Sequence, residues 1–481
     1  MWLLLPILVY SLVFLYVRHV YSYWKRKGFP SERVALSWRF LSQAYRREFR
    51  HVDAICEAYQ TGRERLLGIY CFFRPVLLVR NVELACNILQ QGNAHFSEGK
   101  WDYVKGYRRF NLLEKLAPMF STQRLTHMLQ HVQHVGEHML QHLQQLETQG
   151  SVELELQQLL RVYAANVMGN LVYGLDVNNF EQSDHLLNSY ANNLTSHGCL
   201  QSFTLRKLHK KSTLTYRLLD IIQQNVLQRE ERGIIRKDML QLLVKLRNGN
   251  DLSSDKWQVE HAIEEDKLLC LKRLAQVAED LLKSALNSIA STITLTLYEI
   301  AQQPLIVEKL QTELAEFQAD KLQLSLPHLQ QLKYMDMCLK ETLRKYPPLP
   351  IIERICRKSY TLPNSKFTIG EGKTLMVPVL AIQRDEQHFA DPLSYKPLRF
   401  LHGKPKAAAA ATAFVGFGIG GAQCVAHSFA SMIIKVALIK LLQQYDLELC
   451  CAQSVQVSQL PAPYISSKEG LRVKLKTRKI K

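Results

Sequence analysis

The chain has 481 residues, 47% of them hydrophobic, with 61 Lys and Arg against 43 Asp and Glu, a formal net charge of +18. That length and apolar content exclude a disordered or fibrous chain and suffice for one large mixed domain or two smaller ones. The basic excess suits an anionic membrane surface and an acidic electron donor, and no nucleic-acid-binding motif accompanies it, so no nucleic-acid partner is expected.

Trp2 to Val17 is an apolar run interrupted by Ser11 and followed by Arg18, His19, Lys25, Arg26 and Lys27. It is slightly short for a spanning helix, but Val20 to Trp24 can extend it while Arg18 snorkels to the interface. Tyr21, Tyr23 and Trp24 are expected there as interfacial aromatics. A cleaved signal peptide would place its charge before the run and small residues after it. Here the positive charge follows, which keeps the downstream chain in the cytosol. Residues 1–24 therefore read as a transmembrane signal anchor and residues 25–481 as one cytosolic domain, since no Gly/Ser linker or internal repeat divides them. Ten cysteines lie scattered without framework spacing and are expected to stay reduced. The sequon Asn193-Leu194-Thr195 would be idle in that compartment.

Gly68 to Phe73 and Pro75 to Val79 read as a hairpin with Arg74-Pro75 at the turn. Val82 to Gln91 reads as a helix. Long helical periods run from Thr122 to Leu146, Leu154 to Val172, Ser212 to Arg232, Leu268 to Gln303 and Leu305 to Gln318. Phe367 to Gly372 and Thr374 to Pro378 suggest a second small sheet, and residues 401–413 a loop. The fold class is therefore mainly α with small β-sheets (α+β). His127, His131, His134, His138 and His142 share one face of a predicted helix, a spacing that can bind metal. Leu125, Met128, Val132, Val135 and Met139 take the neighbouring face, so a solvated histidine face is the expectation.

The candidate chemistry lies in the last third. Glu341 and Arg344 are three apart on one helix, where they can pair. Phe389-Ala390-Asp391-Pro392 and Pro397-Leu398-Arg399-Phe400 follow, and then Phe417-Gly418-Ile419-Gly420-Gly421-Ala422-Gln423-Cys424. Glycines let the backbone curl around a sulfur and aim N–H groups at it. One thiolate suits neither a zinc site nor an iron–sulfur cluster, but it does suit an axial ligand of haem iron. An inert buried cysteine after a flexible loop is the plainer alternative for that motif alone.

In combination and order these motifs resemble the cytochrome P450 family, over nearly the whole chain, and the N-terminus resembles that of its insect microsomal members. The resemblance implies a buried network of Glu341, Arg344 and Arg399 bracing the haem-binding core. It implies Arg354 on a haem propionate, Phe417, Gly418 and Gly420 around the cysteine, and Cys424 on the iron of a haem b. It also implies a membrane-bound monooxygenase of the endoplasmic reticulum, facing the cytosol. Electrons would come from NADPH through a reductase, and one oxygen atom of O2 would enter an apolar small-molecule substrate lined by segments near 101–112, 190–215 and 350–352.

The chain also departs from the family. Most members carry Ala/Gly-Gly, any residue, an acid and a threonine in the oxygen-activating helix. Here the stretch reads Ser284-Ala285-Leu286-Asn287-Ser288. Ser288 keeps a hydroxyl that can relay a proton, whereas Asn287 cannot ionise, so proton delivery is expected to be slower or routed through water. Both residues could instead be ordinary polar groups satisfied within the helix. Ala422 replaces a usual basic residue, and Arg109 and Leu113 align with a usual Trp-x-x-x-Arg on an earlier helix, with Lys105 and Arg108 nearby. Fewer cations for the propionates should weaken haem retention unless compensated. Two alternatives stay open: a catalytically weakened haem-binding protein, and a reductase-independent haem-thiolate isomerase.

Overall fold

The computed structural model describes residues 4–31, 51–61, 64–71, 74–90, 95–97, 102–105, 108–148, 153–176, 178–180, 185–196, 213–319, 324–362, 367–401, 413–419, 423–450, 457–459, 465–467 and 471–478. Gly420, Ala422 and most of the loop expected over 401–413 lie outside them.

The apolar N-terminus forms helix α1 (Leu4–Tyr21), and α2 (Tyr23–Arg26) follows after a break at Ser22. From Leu5 to Tyr16 the large apolar side chains of α1 are at least 52% exposed. No helix among the described residues is long and apolar enough to cross a membrane. Val20 and Tyr21 extend α1, but the expectation that the extension reaches Trp24 and places it at a lipid interface is corrected. Trp24 is only 2% exposed. Its indole N–H donates to the Ile69 carbonyl at 3.1 Å, and its backbone N–H donates to the Tyr70 hydroxyl at 3.2 Å. That hydroxyl donates in turn to the Tyr21 carbonyl at 2.9 Å. The physical reason is Gly68, where an added Cβ would lie 2.4 Å from the indole Cγ. The missing side chain makes the slot that the indole fills, and a buried indole N–H needs the carbonyl it finds.

Helix α3 (His51–Gln60) leads to β1 (Leu66–Cys71) and β2 (Arg74–Val79), which pair antiparallel with Tyr70 opposite Pro75 and Cys71 opposite Arg74. Arg74-Pro75 thus opens a strand, and the hairpin connection falls on residues 72–73, outside the described set. Next come α4 (Val82–Gln90), β3 (Phe96–Ser97), the β4–β5 hairpin (Asp102–Lys105, Arg108–Asn111) and α5 (Leu112–Leu116). Arg109 stands in β5 opposite Val104, so it does not share a helix with Leu113 as expected. Asn111 explains the boundary, because its side chain caps α5 by accepting the Leu113 N–H at 3.0 Å.

Then follow α6 (Thr122–Thr148), β6 (Glu153–Glu155), α7 (Leu156–Val172), α8 (Leu186–Ser196), α9 (Thr213–Arg232) and α10 (Met239–Arg247). Helix α11 (Leu271–Ala301), 31 residues long, packs against α7, α9 and α10 and against three later helices. These are α12 (Pro304–Ala319), α14 (Lys333–Lys345) and α16 (His427–Gln444), with α13 (Leu326–Gln331) between the first two. Its surroundings explain its composition: Leu274, Leu282, Leu286, Ile289, Ile293 and Leu297 all belong to one apolar core, as a helix surrounded by helices requires.

Along α6 the histidines prove half-buried instead of solvated, except His134. His127 meets Trp257 edge-on at 5.7 Å, and His142 stacks on Phe180 at 5.8 Å.

The later strands are β7 (Ile352–Cys356), β8 (Tyr360–Thr361), β9 (Thr368–Ile369) and β10 (Thr374–Val377), followed by α15 (Val379–Gln383). One five-stranded sheet runs β1-β2-β10-β7-β3, with β10 parallel to β2. The second sheet expected over 367–378 is therefore divided. β9 pairs with β8, while β10 joins the main sheet. Beyond α16, β14 (Arg472–Thr477) pairs antiparallel with β11 (Tyr445–Leu449) on one side and β6 on the other, and β12 (Val457–Gln459) pairs with β13 (Ile465–Ser467). The architecture is a mainly helical α+β fold with small sheets.

Candidate active site at the cysteine loop

Glu341 and Arg344 lie on the buried face of α14, each at 0% exposure. A carboxylate at that depth requires full hydrogen bonding. Arg344 supplies a fork, with Nε to Oε2 and Nη2 to Oε1, both at 2.8 Å. Arg399, on the 3-10 turn Pro397–Phe400, donates from Nε to the same Oε1 at 3.1 Å, and the Lys396 backbone N–H does so at 2.9 Å. Arg399 also donates to the Ala390 carbonyl and, at 2.7 Å, to the Asp391 carbonyl. Those bonds hold Asp391 in a left-handed conformation, φ 48°. The residues Glu341, Arg344 and Arg399 named from the sequence thus meet in one cluster, with Glu341 and Arg344 fully buried and Arg399 partly exposed.

The cysteine loop leaves this cluster through Val415. Its N–H donates to Gln383 Oε1 at 2.8 Å, while Gln383 Nε2 donates to the Leu343 and Arg344 carbonyls at 3.0 Å. Gly418 turns the chain at φ +79° and donates its N–H to the Val415 carbonyl at 2.9 Å. The Cys424 N–H then closes on the Phe417 carbonyl at 2.6 Å. Cys424 is exposed and stands just ahead of α16, whose first residue, His427, donates its N–H to the Cys424 carbonyl at 3.2 Å.

On α11, the Ser288 hydroxyl donates to the Ser284 carbonyl at 2.6 Å and lies 3.1 Å from that of Ala285. It belongs to a ladder. Ser284 bonds back to Asp280, Thr292 to Ser288 at 2.7 Å, and Thr296 to Thr292 at 2.7 Å. Thr296 then reaches Thr342 of α14 at 2.9 Å. Asn287 is 5% exposed, and its Oδ1 has no hydrogen-bond partner. The Asn287 acceptor is therefore not satisfied within the helix, whereas the Ser288 hydroxyl is. Arg354 is buried on β7, its Nη1 donating to the Glu353 carbonyl at 2.9 Å.

The sequence reading missed Gln383, Gly416 and this ladder. Only the ladder had a readable signal, hydroxyl residues four apart at 284, 288, 292 and 296. At Gly416 an added Cβ would lie 2.9 Å from Leu343 Cβ and 2.5 Å from the Phe414 ring, so the loop rests directly on α14.

These residues fit a haem. The loop offers one sulfur, and no group of three or more His, Cys, Asp or Glu that could hold a metal ion occurs among the described residues. A single sulfur suffices where a porphyrin would supply four further iron ligands. Ser284 is exposed and Ala285 and Ser288 are half-exposed, whereas every residue from Ile289 to Ile300 is buried. Close by in sequence is a buried, unpartnered acceptor, Asn287 Oδ1.

A helix-rich fold with one thiol at a helix start, braced by a Glu–Arg–Arg cluster, defines the class of haem-thiolate oxidoreductases. The cytochrome P450 family model matches residues 38–469, and the chain belongs to that family. It is 62% identical to a probable cytochrome P450 310a1 of Drosophila melanogaster, covering 100% of this chain and 99% of the relative. It is 31% identical to cytochrome P450 6d3 of Musca domestica, with 99% of each covered. Cytochrome P450 6d1 of the same fly is also 31% identical, covering 97% of this chain and 98% of the relative. The protein is accordingly a haem-binding monooxygenase.

Proposed function

We propose that Cys424 would ligate the iron of a haem b, in an enzyme anchored to the endoplasmic reticulum membrane by α1 and facing the cytosol. Its electrons come from NADPH through a reductase, and its substrate is an apolar small molecule. The observation that carries this reading is the exposed Cys424 thiol ahead of α16, reached through the Gly418 turn. The chemistry a bound haem would supply is activation of O2 and transfer of one oxygen atom to the substrate. Cys424 Sγ donates electron density, and its N–H bond to the Phe417 carbonyl orients it. Glu341, Arg344 and Arg399 hold the loop's support, Phe417 and Gly418 shape its turn, and Arg354 would pair with a propionate. The Ser288 hydroxyl shares a proton with the Ser284 carbonyl and can pass it on by rotating. Asn287 Oδ1 can accept a bond from water but carries no exchangeable charge. Support for the anchor comes from α1, whose apolar side chains are exposed and whose basic neighbours follow the run.

The central test is the reduced, carbon-monoxide-bound spectrum of the membrane-bound Cys424→Ala variant. The thiolate band should vanish while the protein stays membrane-bound, and a retained band removes the assignment. If Asn287 limits proton delivery, the native enzyme should release hydrogen peroxide and use NADPH poorly. Asn287→Asp should then raise the product-to-NADPH ratio and Ser288→Ala lower it, at saturating reductase. The effect should lie near the low end of about 10²–10⁴-fold for positioned proton transfer, since water can substitute. Unchanged ratios in both variants make these residues structural. A complete lack of reductase-dependent turnover would favour the weakened haem-protein or isomerase readings.

A further inference from the structure

Gln383 is the last residue of α15, fully buried, and used in every direction it offers. Its two amide protons go to the Leu343 and Arg344 carbonyls at 3.0 Å. Those carbonyls belong to the last turn of α14, where a helix leaves acceptors without intrahelical partners. Its carbonyl oxygen Oε1 takes the Val415 N–H at 2.8 Å. Its backbone carbonyl accepts from Arg344 Nη1 at 2.9 Å. One side chain therefore joins the helix carrying Glu341 and Arg344 to the first bond of the cysteine loop.

From there the geometry leaves little slack. The Val415 carbonyl holds the Gly418 N–H, and the Phe417 carbonyl holds the Cys424 N–H. Gly416 lies flush on Leu343, the residue whose carbonyl Gln383 caps, so a shift at Val415 cannot be absorbed by a gap beneath the loop. We propose that Gln383 is a positioning residue that sets where the Cys424 thiolate stands relative to the Glu341–Arg344–Arg399 cluster. The inference rests on the reading of Cys424 as the haem ligand.

The chemistry demanded here is narrow. Two donors must face two carbonyls while an acceptor faces an N–H. Among side chains only an amide supplies both. An ionised carboxyl would accept from Val415 but repel both helix carbonyls. A protonated one regains one donor and keeps the acceptor. Methionine has the length and neither function.

The test uses full-length haem-loaded protein carrying Gln383→Met or Gln383→Glu, with Leu160→Ala in the α7 core as a control for lost stability. Amide hydrogen exchange at Val415 reads the bond itself, and the reduced carbon-monoxide spectrum reads the ratio of thiolate to neutral-thiol ligation. Gln383→Met should speed Val415 exchange and lower that ratio by about tenfold, the scale of one buried polar group left unpaired. Gln383→Glu should show a defect that recedes as pH falls through about 8–9, where a buried carboxyl takes up its proton. Leu160→Ala should lower the melting temperature without moving the ratio. If Gln383→Met does not accumulate, the pH dependence of Gln383→Glu decides alone. Faster Val415 exchange with an unchanged ratio, or a Gln383→Glu ratio indifferent to pH, overturns the proposal. A thiolate band that survives in Cys424→Ala would instead overturn the ligand assignment, leaving the Val415 exchange result to stand for the loop.

Discussion

Thiols show most directly how one residue's surroundings set its chemistry. Burial, reinforced by Asp53, pushes the Cys56 thiol up to about 12. Burial and then Glu353 do the same for Cys71, also up to about 12. Cys338 is raised further, again mainly by burial. Thiolate is the reactive form, and a raised pKa keeps these groups protonated until the pH passes it. In native protein at about pH 8 an alkylating reagent should therefore label the exposed Cys270 and Cys450 and spare Cys56, Cys71 and Cys338. If Cys424 holds the iron as proposed, removing haem should add it to the labelled set. Peptide mapping checks both, and rapid labelling of Cys71 would contradict its burial. At this scale the sequence was informative wherever spacing carried the signal. Glu341 and Arg344 could be paired from an interval of three. Gln383 could not be found that way, because its partners Leu343, Arg344 and Val415 lie about 30–40 residues away and use backbone atoms that every residue has.

Elements obeyed their periodicity, while their ends and neighbours did not always follow. The helices expected over 122–146 and 212–232 form as Thr122–Thr148 and Thr213–Arg232. The N-terminal aromatics behave otherwise. Next to an apolar run and basic residues, Trp24 has the pattern of an interfacial tryptophan. The missing side chain of Gly68 outweighs that pattern by opening a slot in the main sheet. Phe29 meets the indole edge-on at 5.4 Å, and the Gly68 N–H donates to the Pro30 carbonyl at 2.8 Å, so the segment after α2 is pinned to the same strand. Trp24→Ala should destabilise the solubilised protein by about 3–5 kcal/mol, as for a buried aromatic removed to alanine. Gly68→Ala should cost about 1–3 kcal/mol by overpacking. Combined, the substitutions should cost less than their sum, because the first vacates the space the second fills. Strict additivity in urea titrations would show that the two residues do not share that slot.

For the whole molecule, the contact between Trp24 and the sheet decides where the chain can be cut. Deleting residues 1–20 removes most of α1 and leaves Trp24 on the sheet. That form should keep its folded stability and haem binding while losing affinity for lipid vesicles. Deleting residues 1–26 also takes the indole from its slot and should cost about as much stability as Trp24→Ala. Thermal melts and vesicle flotation separate the effects, and equal melting temperatures for the two truncations would refute the coupling. The net charge of +18 adds a long-range term. Vesicle binding should weaken as salt rises, because exposed charges are screened beyond about 8 Å at physiological ionic strength.

Sequence by itself determined the mainly helical class, the order of the motifs, the pairing of Glu341 with Arg344, and the departures at Asn287 and Ser288. Each follows from residue type and short-range spacing, which local stereochemistry converts directly into structure. Only the tertiary structure decided that Trp24 belongs to the sheet, that β10 joins β2 instead of β9, and that Gln383 ties α14 to the cysteine loop. Those outcomes depend on shape and on backbone hydrogen bonds between distant segments. A missing Cβ at Gly68, two open carbonyls at the end of α14 and a free strand edge are made by the fold, and no local pattern announces them.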